Sequence, residues 1–122
     1  MAIPSRLMGV GLPAAAAVNI CGDVVRTITA AGTTNANATG LSGAINHVTT
    51  AAASTGVRLM APEAGSQVVV INSGANAVLV YPSTGASINA LTATTGGFSV
   101  AAGGRALFIG VGSANWFAIL SA

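Results

Sequence analysis

From Asn19 onward the chain runs as short β-branched and apolar segments separated by Gly, Asn, Ser and Thr, and no other feature constrains its fold as tightly. That spacing predicts an all-β sandwich or barrel. The expected strands are Val24 to Thr29, Asn46 to Thr50, Val57 to Met60, Gln67 to Asn72, Ala77 to Tyr81, Ser87 to Ala90, Gly97 to Ala101, Arg105 to Val111 and Trp116 to Leu120. The strongest piece is QVVVINSGANAVLVYP, residues 67 to 82, where two apolar runs flank Asn72 to Asn76. It predicts a hairpin, because Gly and Asn tolerate the positive φ of such loops and Pro82 has no N–H to offer a ladder. Both runs are apolar at successive positions, which predicts cover on both faces, by the core on one and by a partner chain on the other. No internal repeat of useful period is visible.

Residues 1–17, MAIPSRLMGVGLPAAAA, contain Pro4, Gly9, Gly11 and Pro13, which argue for an extended N-terminal arm that orders on binding. Only Ala14 to Ala17 favours a helix there. Arg6 ahead of an apolar stretch imitates a signal peptide, but the prolines and glycines break up the apolar region. The expectation is therefore no targeting signal, with assembly in the cytoplasm where the chain is made. At 122 residues the chain fits this arm plus a single β-sandwich domain over residues 18–122. Within that domain AAGTTNANATGLSGAIN, residues 30–46, reads as a long loop, poorly ordered unless it docks. It contains the sequon Asn37, Ala38, Thr39, whose use requires a secretory route that the N-terminus does not support.

Six charged side chains in 122 residues, none of them Lys, compare with about 25% in an ordinary soluble domain. A surface this poor in charge has little to stop it associating, so burial in an assembly is the natural reading. Arg6, Arg26, Arg58 and Arg105 are dispersed and form no patch, which argues against nucleic acid as a partner, because affinity grows with the number of phosphates neutralised. A membrane-spanning helix needs about 20 mostly apolar residues in succession. The best stretch, Ala106 to Leu120, is interrupted by Gly110, Gly112, Ser113 and Asn115, which read as a turn between two strands.

Reactive chemistry is poorly supported, and the reading assigns no catalytic residue, cofactor or metal. His47, Asp23 and Glu63 sit in separate segments, no nucleophile-elbow pattern surrounds a Ser, and scattered ligands do not make a metal site. Glu63, between Pro62 and Gly65, reads as a turn residue entering the hairpin. Cys21 stands alone, which excludes an intrachain disulfide and suits a small apolar core residue. Gly103 and Gly104 before Arg105, and Gly110 with Gly112, match neither a phosphate loop nor a dinucleotide fingerprint and read as turns. Arg58 and Arg105 read as strand residues near a sheet edge, or as ion-pair partners of Glu63 or Asp23. Trp116 and Phe117 are adjacent, so a strand sends one to the core and the other outward, toward an interface.

The progression VRLMAPEAGSQVVVINSGANAVLVYPSTGASINAL followed by FSVAAGGRALFIGVGSANW resembles the cement or decoration proteins that bind the outside of tailed-bacteriophage heads. The markers are the NSGA hairpin, the VYPSTGASIN turn and strand, the AGG turn before a strand and the late Trp, over about half the chain. The resemblance implies a jelly-roll-like antiparallel β-sandwich that binds the major capsid protein and itself, as a homodimer or homotrimer. It implies an interface drawn from Ile3, Arg6, Leu7, Met8 and Val10 of the arm, with Trp116 and Phe117. A fibre or receptor-binding module of a virion shares the β-texture and is the main alternative. A trimeric β-type hydrolase needs several acids for metal and water activation, and two are too few.

Overall fold

The computed structural model describes residues 4–11 and 13–121. The N-terminal segment is helical, which corrects the expected extended arm. Helix α1 spans Pro4–Gly9 and α2 spans Ala14–Cys21. Pro4 and Pro13 stand where each helix begins, a place in which proline's fixed φ helps and its missing N–H is no loss. The run of alanines carries α2, and Gly22, at φ 88°, turns the chain out of it. The two helices pack mainly on each other.

Ten strands follow: β1 (Val24–Thr29), β2 (Thr39–Gly40), β3 (Ile45–Thr50), β4 (Gly56–Arg58), β5 (Gln67–Asn72), β6 (Val78–Tyr81), β7 (Ser87–Ile88), β8 (Phe98–Val100), β9 (Arg105–Gly110) and β10 (Asn115–Leu120). They form two sheets, ordered β1-β3-β5-β9-β10-β7 and β2-β4-β6-β8. The expected all-β character holds for this part of the chain, and the expected strand segments coincide with observed ones to within a few residues. The antiparallel jelly roll does not, because five of the eight ladders are parallel. From β1 to β9 the chain changes sheet at every step, so it winds like a coil and lays β3 beside β1, then β5 beside β3.

The expected hairpin at 67–82 is corrected by the same winding, since β5 and β6 lie in opposite sheets. Asn72 makes that corner. Its side-chain amide, fully buried, donates to the carbonyls of Asn76 at 2.9 Å, Val100 at 3.0 Å and Ala101 at 3.3 Å, while its Oδ1 accepts from Gly74 N at 2.9 Å. Asn46, also buried, does similar work at the start of β3, donating to the Gly43 carbonyl at 2.8 Å. A buried amide is tolerated where its donors and acceptors are met, and these two hold the chain at points where no ladder can.

Between the sheets lies one apolar core: Val48, Val68, Val70, Phe108 and Trp116 from the larger sheet, and Val57, Val78, Val80 and Val100 from the smaller. Strands β5 and β9 alternate strictly between buried and outward residues, the pattern of a sheet with one face on a core. The loop expected to need a dock has one. Arg58 donates to the Asn35 carbonyl at 3.0 Å, the Tyr81 hydroxyl to the Thr33 carbonyl at 2.9 Å, and the Asn35 amide to the Pro82 carbonyl. Tyr81 lies over Gly56, where a Cβ would stand 2.6 Å from the ring and 2.8 Å from the Leu79 carbonyl.

Candidate interaction surface

The two sheets differ in how their outer faces are covered. On the smaller one, the 33–35 segment closes over Tyr81, leaving it buried and Arg58 half-buried. On the larger one, outward residues align across the ladders. Val24 pairs with Ile45, Ile45 with Val69, Val69 with Leu107, and Leu107 with Ile119, an apolar row five strands wide. A second row holds Gln67, Ile109 and Phe117. Partners in register share a face, so these side chains form one continuous surface. Ile119 is 60% exposed, Val24 52% and Phe117 49%, which is unusual for large apolar residues placed side by side. A shallow groove on this face runs between Val69, Leu107 and Ile119 and ends at Arg105 and Ser121.

The expected interface residues divide. Phe117 lies on this face, whereas Trp116 is fully buried in the chain's own core, so it is removed from the interface. Arg6, Met8 and Val10 are exposed on and just after α1, Val10 at 80%. Leu7 belongs to α1, and Ile3 lies outside the described residues. Ile109, Leu107, Ile119 and Val24 were not singled out in the sequence. The signal for them was there, since residues 105–110 and 115–120 carry bulky apolar residues at both parities, more than one core face can take.

The polar residues weighed for chemistry are otherwise engaged. His47 Nε2 lies 2.7 Å from Ser73 Oγ, the one Ser–His approach among the hydrogen bonds of the described residues. The backbone donors beside it are committed: Ser73 N to the Val48 carbonyl and Gly74 N to Asn72 Oδ1. The Asp23 carboxylate accepts from Ala44 N at 3.0 Å, just ahead of β3, and is not a hydrogen-bond partner of His47. A nucleophile needs an oriented base and free oxyanion donors, and this pair has neither. Arg58 and Arg105 lie on interior strands, which corrects their placement near a sheet edge. No group of three metal-ligating side chains occurs among the described residues, and none of their helices is long and apolar enough to cross a membrane.

No family model matches this sequence, and no curated protein or solved structure matches it.

Proposed function

We propose that the chain is a structural virion protein that binds the outer surface of a tailed-phage head, is assembled in the host cytoplasm, and stabilises the capsid lattice by bridging neighbouring major capsid subunits. The observation that carries this reading is the apolar row from Val24 to Ile119, a broad sheet face with exposed ends and a half-buried middle among the described residues. A scarcity of charge over the whole sequence supports it, as does the resemblance of residues 57–116 to head decoration proteins. Two sheets around one core are common to this chain and the jelly roll that the resemblance implies; the winding is different. Contacts of this kind suit a particle under internal pressure from packaged DNA, because apolar burial survives changes of salt that screen exposed ion pairs.

The coil-like winding of β1 to β6 favours a second reading, a fibre or adhesion module, since stacked windings build elongated shafts. Quantitative mass spectrometry of purified native particles separates the two. A copy number near that of the major shell protein, or a simple fraction of it, supports lattice-wide decoration. A handful of copies assigns the chain to the tail or a fibre, and absence from particles overturns the virion reading.

A further inference from the structure

Two cavities meet at one end of the exposed sheet face, and they share Arg105 and Ser121. The first is the shallow groove, about 220 Å³ in volume, whose apolar walls include Val69, Leu107, Ile119 and Leu120. The second, of about 320 Å³, is a cradle formed by Ala101, Ala102, Gly103 and Gly104, the turn that leads into β9. Small residues leave this turn uncovered, and a Cβ at Gly103 would meet nothing within 4 Å. The turn is held in place, with Gly103 N donating to the Asn72 carbonyl and Gly104 N to the Ala101 carbonyl, both at 2.8 Å. Arg105 and Ser121 are held to each other, Arg105 N donating to Ser121 Oγ at 3.1 Å and Ser121 N to the Arg105 carbonyl at 2.9 Å. The Ser121 hydroxyl accepts in that pair, so its proton remains to be given to a ligand. Arg105 is exposed, and no acid lines either cavity. An apolar groove therefore ends on a cation and a hydroxyl donor fixed to the same rung of the sheet.

We propose that this composite site binds a monomeric alkyl carboxylate, its hydrocarbon chain along the groove and its carboxylate on the Arg105 guanidinium and the Ser121 hydroxyl. A guanidinium presents a planar fork that matches the two oxygens of a carboxylate, and its single charge balances a single negative charge. A phosphate monoester carries nearly two charges at neutral pH and is poorly matched by one arginine. The basic side chains level with Arg105, His47 and Arg26, stand across β5 on β3 and β1, at least two strands away. The two halves of the site select together: the groove favours an ion with a tail, and the arginine favours a tail with a negative head. This inference stands on the two cavities and is independent of the capsid reading.

Titration of the full chain with decanoate, kept below its micelle concentration and followed amide by amide in NMR spectra, tests it. Decanoate is expected to shift Gly103, Gly104, Leu107 and Ile119 together, and decyltrimethylammonium, decanol and acetate to bind about tenfold more weakly or less. Arg105→Gln is expected to weaken decanoate binding about tenfold, because a charged hydrogen bond is lost, and Arg105→Lys to weaken it less. Ile119→Ser is expected to weaken it about fivefold through lost apolar contact. All three variants are expected to keep the parent's unfolding midpoint. Decanol bound as tightly as decanoate overturns the proposal, as does acetate bound as tightly, since the first removes the head group's role and the second the groove's. Indifference to Arg105→Gln overturns it too. So does the absence of shifts at the two cavities, or binding confined to phosphatidylglycerol vesicles, which would give the face to a lipid surface.

Discussion

The Tyr81 hydroxyl donates to the Thr33 carbonyl at 2.9 Å, tying a strand of the smaller sheet to a loop 48 positions earlier. Tyr81→Phe keeps the ring over Gly56 and removes this one bond, so it is expected to destabilise the fold by about 1 kcal/mol. Hydrogen exchange should quicken in residues 33–38 and stay unchanged in the two sheets. Unchanged protection in that loop would show that Arg58 and Asn35 suffice to hold it.

Trp116 is fully buried, yet its indole N–H finds no acceptor among the described residues. Removing an unsatisfied donor offsets part of the loss of ring volume, so Trp116→Phe is expected to lie within about 1 kcal/mol of the parent. Trp116→Ala, which empties the site, is expected to cost about 3–5 kcal/mol. Urea midpoints of the two variants check the contrast, and a Phe variant as weak as the Ala variant would count against the unmet donor.

The corner at Asn72 depends on an amide that donates and accepts at once. Asn72→Asp retains the shape and the acceptor but cannot donate, leaving three carbonyls facing a buried carboxylate. It is expected to cost about 3 kcal/mol or more at neutral pH, and Asn72→Ala about 2–3 kcal/mol. Thermal unfolding of both variants gives the order, and the reverse order would remove the donor role.

Helix α1 packs mainly on α2, and α2, with Ala17 fully buried, is kept when residues 2–12 are removed. Deleting residues 2–12 is expected to leave the unfolding midpoint of the β-domain unchanged and to weaken attachment to phage heads. A binding assay on stripped particles measures this, and full attachment by the shortened chain would dismiss the arm as an anchor.

Strand positions were legible in the sequence because β-branched runs and turn residues mark them locally, as at Val24–Thr29 and Gln67–Asn72. Their partners were not. The turn at Asn72 to Asn76 has hairpin composition, and bonds to residues far along the chain, from Asn72 to Val100 and Ala101 and from Asn76 to Ala51, hold it as the corner that takes β6 to the other sheet. Helix α1 was missed because Pro4 and Gly9 read as breakers, whereas in place they bound the helix. The exposed face was legible only as an excess of apolar residues. Register brings Val24, Ile45, Val69, Leu107 and Ile119 into one row, and register is a tertiary property.

The alternation of strands between sheets also governs when the chain can fold. Among the described strands, only β9 and β10 are neighbours in sequence and partners in a ladder, and they are the last two to leave the ribosome. Each earlier strand except β8 has a partner still to be synthesised when it emerges, and the closing strand β9 must arrive before β5 is flanked on both sides. Such non-local pairing is slow to form and leaves apolar edges open meanwhile. Newly made chains therefore pass through an interval in which sticking to one another competes with closure, and yield in the cell should rise as synthesis is slowed or as holding chaperones are supplied.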